Sequence, residues 1–257
     1  MLKVAVLGAL GNMGRQVTRV VLEDPTCELV AAIDPANSRA EVRCAGVPAL
    51  CDISYLNGVD VDVIVDFTHA TASVSNIMWA LDHGINAVVG TTGIGDDDLA
   101  LIDAKARNGS ANVLIAPNFA LGAVLMMKFS EAAAKFFDQC EIVEFHHRGK
   151  KDSPSGTAIA TARRVGDVTP AAQAPSTSES EVIGCRGGRL GPVNIHSVRL
   201  DGLVARQEVI FGSPGQTLTI RHDATDRSCF MPGVIMAVKA IADMPGLTIG
   251  LEPLLSI

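Results

Sequence analysis

The sequence predicts an α/β fold: an N-terminal Rossmann-type, doubly wound parallel sheet plus a C-terminal α+β domain with a mixed or antiparallel sheet. Three observations predict it. Short apolar runs alternate with helical patterns through the first half. A glycine-rich turn joins the first run to the first helix. Three runs of alternating character, separated by turn residues, fill much of the second half.

Residues 3–7 are the first strand, and the turn after it reads Gly8, Ala9, Leu10, Gly11, Asn12, Met13, Gly14. This G-x-x-G-x-x-G is a variant of the dinucleotide fingerprint, placed after a strand and before a helix over residues 15–22. Such a turn brings backbone close to a pyrophosphate at a helix N-terminus. The second strand, residues 29–33, ends in Asp34, about 20 residues past the turn, where an acidic side chain takes the ribose hydroxyls of NAD. A carboxylate there repels a 2′-phosphate and favours NADH, whereas Arg39 nearby keeps NADPH open. Further strands over 61–66, 87–89 and 113–115 end in small polar loops: Phe67-Thr68, then Gly90, Thr91, Thr92 and Gly93, then Ala116, Pro117, Asn118 and Phe119. Helices over 72–81 and 97–106 separate them, the second with an acidic first turn. In open α/β sheets ligands bind at the carboxyl ends of the strands, where all these loops fall. Gly, Thr, Asn and Pro are ordinary loop residues, so only the shared placement makes them cofactor candidates.

The second half begins with a helix over 121–137 and a strand over 140–145 that delivers His146 and His147. Neighbours on a strand point to opposite faces, so both histidines meet one ligand only if the strand ends or bends there. Arg148, Lys150 and Lys151 follow, in a chain whose formal net charge is -7. Ser153 then suits an N-cap and Pro154 the first helical position. The N–H groups of Ser155, Gly156 and Thr157 would face outward at the positive end of the helix dipole, an anion site. Imidazoles, ammonium groups and a helix end thus converge on a pocket for a small carboxylate-bearing molecule, although a polar strand end before a solvated loop can read the same way. A helix over 157–165, a stretch over 169–181 rich in Ala, Pro, Ser and Thr, and alternating runs over 194–200, 204–211 and 216–222 come next. Asp201-Gly202 and Ser213-Pro214-Gly215 supply the turns of what reads as an antiparallel sheet, whose edges invite oligomerisation. A helix over 231–242 closes the chain. The domains implied are a dinucleotide-binding domain over 1–118, on which a C-terminal segment from about 229 to 257 packs back, and a substrate-binding and oligomerisation domain over 119–228.

Composition excludes several classes. Aromatics at 4% and the acidic balance argue against a nucleic-acid binder. The six cysteines are scattered with no C-x-x-C pair, as expected of free thiols in a reducing compartment. Residues 108–127 carry no charge, but Gly109, Asn112, Pro117, Asn118 and Gly122 interrupt them, so a strand, loop and helix start explain them better than a membrane span. The N-terminus runs straight into a strand without a signal peptide, and the expectation is a soluble cytoplasmic protein without membrane or nucleic-acid partners. No metal site is expected: His146, His147 and Asp152 are too bunched for usual ligand spacing, and H-E-x-x-H is absent.

Taken together, these residues resemble the dihydrodipicolinate reductase family, enzymes of lysine and diaminopimelate synthesis, over essentially the whole chain. The most specific part is E-x-H-H-x-x-K-x-D-x-P-S-G-T-A, met by residues 144–158. Gly8 to Gly14, Asp66-Phe67-Thr68, Gly90-Thr91-Thr92-Gly93 and Pro117-Asn118-Phe119 agree in place, as does His222-x-A-x-x-R-x-x-F-x-x-G with Ala224, Arg227, Phe230 and Gly233. The resemblance implies His146 as catalytic proton donor and acceptor, and Lys150 as second proton donor and substrate ligand. It implies His147, Ser155, Gly156 and Thr157 as carboxylate ligands. Gly8, Ala9, Leu10, Gly11, Asn12, Met13, Asp34, Gly90, Thr91, Thr92, Ala116, Pro117, Asn118 and Phe119 would line NADH or NADPH. It also implies hydride transfer to a cyclic imine-like dicarboxylate and a homotetramer built through the C-terminal sheet. Gly149 departs from the family, where many relatives carry a polar or basic side chain. Arg148 and Lys151 read as field charges. Two alternatives stay open: a semialdehyde dehydrogenase on the same architecture, which needs a different substrate stretch, and a nicotinamide-binding sensor, which predicts loss of His146 or Lys150.

Overall fold

The structure, a computed structural model, describes residues 1–35, 43–44, 47–169 and 182–255. Arg39 and residues 170–181 lie outside the described residues. In chain order the elements are β1 (Leu2–Leu7), α1 (Asn12–Glu23), β2 (Cys27–Ile33), β3 (Arg43–Cys44), β4 (Val47–Leu50), β5 (Val63–Asp66), α2 (Ala70–Asp82), β6 (Asn86–Val89), α3 (Asp96–Asn108) and β7 (Val113–Ile115). After them come α4 (Leu121–Ala134), β8 (Gln139–His146), α5 (Gly156–Val168), β9 (Gly188–Leu190), β10 (Val193–Arg199), β11 (Ala205–Ser213), β12 (Gln216–Ala224), α6 (Met231–Ala240), β13 (Leu247–Ile249) and α7 (Glu252–Leu255). Two compact units result: Met1–Ala120 with Arg227–Ile257, and Leu121–Asp226.

The first unit is an 8-stranded sheet in the order β13-β7-β6-β5-β1-β2-β4-β3, parallel except for the β3–β4 pair. Its central strands are near-continuous apolar runs because helices cover both faces. Val4, Ala5, Val6 and Leu7 of β1 and Val63, Ile64, Val65 and Asp66 of β5 are all buried. On α1, Val17 and Val21 sit one turn apart and are fully buried. On α3, Asp96, Asp97 and Asp98 occupy the first turn and Lys105 and Arg107 the last, each end opposing the helix dipole. Strand order reverses between β1 and β5, which makes the carboxyl ends of those strands the binding crevice of this fold. The C-terminal segment returns to this unit: β13 extends the sheet beside β7, and Asn112 fastens it by donating to the Ile241 carbonyl (3.0 Å) and accepting from the Gly246 N–H (3.2 Å). A three-residue strand carries no alternation to read, so β13 has no signature in the sequence.

The second unit is a 5-stranded sheet in the order β12-β11-β8-β10-β9. Here the structure corrects the expected run of antiparallel neighbours. β11 and β12 do form a hairpin, closed by the Ser213–Gln216 pair. β10 and β11 are not neighbours: β8 lies between them, parallel to β10 and antiparallel to β11. The physical reason lies in β8 itself, whose Cys140, Ile142 and Glu144 are buried and whose backbone is satisfied only with a partner on each side. The sheet is therefore mixed. α5 packs on β8, β9 and β10, α4 packs on β11 and β12, and the two helices pack on each other, so they share one face. Gln207 reaches from that face to Thr161 of α5 (2.8 Å), and Val209, Phe211, Ile142 and Ile195 fill the space between. Within this unit the opposite face carries no helix among the described residues.

No helix among the described residues is long and apolar enough to cross a membrane. Cys27, Cys51, Cys140, Cys185 and Cys229 are free thiols.

Candidate active site

The glycine turn after β1 is built so that only glycine fits. Gly8 has φ of 74°, in the left-handed region, and a Cβ on it would lie 2.6 Å from the Phe67 carbonyl oxygen. At Gly14 a Cβ would stand 2.0 Å from the Gly8 carbonyl oxygen and 2.7 Å from the Ala9 Cα, so the first turn of α1 presses directly on the loop. Gly11 is the N-cap of α1, with no side chain over the helix end. Asp34, at the end of β2, accepts the Leu10 N–H (2.9 Å) and so ties the glycine turn to the next strand.

Two cavities open at this switch point. One, of about 370 Å³, is lined by Gly8, Gly11, Asp34, Cys51, Ile53 and Phe67 among others. The second, of about 470 Å³, is lined by Gly11, Asn12, Met13, Gly90, Thr91 and Thr92 with the Phe67–Ala70 loop. Both are of the size that holds small ligands. Gly8, Gly11, Asn12, Met13, Asp34, Gly90, Thr91 and Thr92 thus meet at one crevice. Ala9, Leu10, Ala116, Pro117, Asn118 and Phe119 line neither cavity. Ala9 and Ala116 are fully buried, and the Phe119 ring packs on Phe67 with centroids 5.7 Å apart.

Asp66 holds the crevice in shape. Its buried carboxylate accepts from the Thr68 N–H (2.9 Å), the Thr68 hydroxyl (2.7 Å), the Thr91 hydroxyl (3.2 Å) and the Asn76 amide (2.8 Å). The loops after β5 and β6 and the helix α2 are thereby locked together. Gly90 fits under the Phe67 ring, where a Cβ would come within 2.1 Å of Cε1. His69, which lines both cavities, was not foreseen; it caps α2 by accepting the Ala72 N–H at Nδ1 (3.4 Å). A histidine just before a helix was the only available sign, and it is a weak one.

In the second unit, β8 delivers His146 as its last residue. Glu144 precedes it by two and therefore shares its face. His146 Nδ1 hydrogen-bonds Glu144 Oε2, and Arg199, directly across on β10, grips the same carboxylate with Nη1 and Nη2 (2.8 and 2.7 Å). Arg199 also donates to the Asp152 carbonyl (2.8 Å), and the Ser155 N–H donates to Glu144 Oε1 (3.3 Å), so this buried ion pair anchors the loop after β8 at two points. Burial alone would raise the Glu144 pKa, but hydrogen bonds from His146, Arg199 and Ser197 outweigh it and bring it to about 2. A carboxyl whose pKa drops on folding stabilises the fold above its unfolded value near 4.5, and that contribution is lost as pH falls toward about 2. Denaturant unfolding of the wild type should therefore give a midpoint that falls between pH 4.5 and pH 2, with a shallower fall for Glu144→Gln.

His147 is exposed beyond the strand end, its carbonyl accepting the Lys150 N–H (3.1 Å) to close a turn. The side chain of Lys150 lies 2.8 Å from Asp152, whose pKa the lysine lowers. The helix start is corrected by two residues. Ser155, not Ser153, is the N-cap, with its hydroxyl accepting the Ala158 N–H (3.2 Å), and α5 begins at Gly156. Two serines compete for the cap here, and the bond from the Ser155 N–H to Glu144 selects the second. The same bond takes that N–H away from any anion, leaving Gly156 and Thr157 as the helix-end backbone. A Cβ on Gly156 would meet no atom within 4 Å, so the space in front of it is open. Arg199 was missed as part of this site, because it reaches Glu144 across 55 residues of sequence.

From the C-terminal run, Gly233 presses on the first unit's own loop, with a Cβ placed 2.2 Å from the Phe119 carbonyl oxygen. In the second unit, His222 packs its ring over Gly122.

A parallel sheet with a glycine cradle at its switch point, in one chain with a unit that presents the His146–Glu144 pair beside an open helix end, places the chain in the class of nicotinamide-dependent oxidoreductases. Comparison with known proteins makes the class specific. The N-terminus of dihydrodipicolinate reductase matches residues 2–119 and its C-terminus residues 122–255. The chain belongs to the dihydrodipicolinate reductase family. It is 46% identical over 261 residues to a 4-hydroxy-tetrahydrodipicolinate reductase of Cutibacterium acnes, covering 100% of both chains. It is 47% identical over 255 residues to the enzyme of that name from Streptococcus gordonii, covering 99% of each. A dipicolinate-bound dihydrodipicolinate reductase from Paenisporosarcina sp. TG-14 superposes with a TM-score of 0.90 at 36% identity, over 98% of this chain and 99% of that one.

Proposed function

We propose that this chain reduces 4-hydroxy-tetrahydrodipicolinate to tetrahydrodipicolinate with a nicotinamide cofactor, in lysine and diaminopimelate synthesis. The observation that carries the reading is the single stretch that carries His146, Lys150 and the α5 N-terminus, in a chain matched over its whole length by reductases of that name. The crevice of the first unit fits the cofactor: Gly8 and Gly11 line it, a side chain on Gly8 or Gly14 would push the turn's backbone out of place, and the α1 N-terminus has no side-chain cap. Gly8 to Met13, Gly90 to Thr92 and the 116–119 loop would hold it, and when bound it supplies the hydride.

The chain's own residues manage charge. Hydride addition to a conjugated dicarboxylate leaves an electron pair on the ring, and a proton from His146 quenches it. Lys150 gives the departing hydroxyl its proton, so that it leaves as water while the ring loses one C–H proton; with His147, the Ser155 hydroxyl and the Gly156 and Thr157 backbone it also holds the carboxylates and steadies the developing charge. Overall, the hydroxy acid gains a hydride and a proton and loses water. The dicarboxylate named for the Paenisporosarcina relative supports a site of this charge and size. With cofactor deuterated at the transferable position, mass spectrometry should find one deuterium in the product. Full turnover without label in the product would exclude direct hydride transfer.

Asp34 supports NADH as the preferred cofactor, because its carboxylate lines the cavity and opposes a 2′-phosphate. Asp34→Asn keeps an oxygen for the Leu10 N–H but removes the charge. The ratio of kcat/KM for NADPH over NADH should rise about tenfold, as expected for one like-charge contact relieved near a protein surface. An unchanged ratio would assign the preference elsewhere. We also assign the chain to the cytoplasm, a reading supported by the free thiols. The face of the second sheet without a helix supports a homotetramer, which light scattering of the purified protein would test.

A further inference from the structure

We propose that Glu144 is a positioning residue for His146: it holds the proton on Nδ1, so that the proton given to substrate is the one on Nε2. The inference rests on the reading of His146 as proton donor. Glu144 is fully buried, yet its two oxygens meet donors from three elements: His146 on β8, Arg199 on β10 and the Ser155 N–H at the start of α5. Arg199 grips both oxygens, which fixes the carboxylate plane and keeps it ionised. An ionised carboxylate can only accept, so Nδ1 must be the donor of that contact whether the ring is neutral or charged. The tautomer is then set: Nε2 alone exchanges its proton during reaction. The nearby cation, Lys150, is engaged by Asp152 and does not compete for Glu144.

A plain salt bridge to Arg199 would account for burial of the glutamate but would leave the histidine tautomer undetermined. Glu144→Gln separates the two roles. The amide oxygen stays with Arg199, and the amide NH2 then faces His146, where it can only donate. Nδ1 becomes the acceptor, and the neutral ring switches to the Nε2–H form.

The test is a long-range proton–nitrogen spectrum of protein labelled with nitrogen-15 in histidine, recorded above neutral pH. The His146 signals are assigned by their loss in His146→Gln. The wild type should show the Nδ1–H tautomer, and E144Q should lose it. E144Q should lower kcat by about 10- to 100-fold, the usual effect of removing such an orienting partner, with substrate KM changed less than about threefold. A wild-type ring in the Nε2–H form would overturn the proposal even if E144Q failed to fold. Wild-type turnover in E144Q beside an inactive H146Q would also overturn it while leaving the donor role intact. Retained turnover in H146Q would sink the donor role instead.

Discussion

Lys150→Ala should lower kcat by about 100- to 1,000-fold while leaving the dissociation constant for NADH within about twofold of wild type. The asymmetry follows from where the residue sits. Lys150 belongs to the second unit, in the turn that His147 closes, and its ammonium pairs with the exposed Asp152 carboxylate. The groups proposed for the cofactor belong to the first unit, around Gly8, Asp34 and Gly90. Removing a partly exposed ammonium from an exposed aspartate costs little stability. The loss should therefore appear in turnover and not in melting temperature. Steady-state kinetics beside a fluorescence titration with NADH would measure both. A variant that turned over like the wild type would remove Lys150 from the reaction, and one that lost NADH binding would mean the two ligands are not held separately.

Gly14→Ala should weaken NADH binding by more than about tenfold and lower the melting temperature by roughly 2–12 °C. The added methyl meets the Gly8 carbonyl at 2.0 Å and the Ala9 Cα at 2.7 Å, both backbone atoms that cannot swing aside. Relief requires the glycine turn to open away from α1, which moves the backbone proposed to face the pyrophosphate. Overpacking of this kind costs about 1–3 kcal/mol, and each kcal/mol shifts melting by roughly 2–4 °C at this size. Gly58→Ala is the control. Gly58 has φ of 81° but open space around it, so alanine there strains the turn without reaching the crevice. It should cost some stability and leave NADH affinity unchanged. Equal losses of affinity in both variants would attribute the effect to general destabilisation.

The parts that sequence made legible were those with local causes. The glycine turn announces itself because Gly11 and Gly14 answer contacts within the same loop, and Asp34 follows at the spacing one βαβ unit imposes. The acidic first turn of α3 and the apolar runs of β1 and β5 are equally local. The stretch from Glu144 to Ala158 was legible as a charge and helix-cap pattern. What it concealed was long-range. Nothing in 194–211 says that β8 will enter between β10 and β11, because strand pairing is decided by the buried face of β8. The serine that caps α5 is chosen by a bond to Glu144 eleven residues earlier. The partner of Glu144 lies 55 residues away on β10, so the ion pair that shapes the site has no spacing to betray it. Three-residue strands such as β9 and β13 are too short for any periodicity.

The most direct measurement is oxidation of NADH and NADPH, side by side, by the purified full-length chain with freshly prepared 4-hydroxy-tetrahydrodipicolinate. The account predicts rapid oxidation that requires both protein and substrate and is faster with NADH. Cofactor binding without oxidation, under conditions where a reductase of known activity turns over the same substrate, would contradict it.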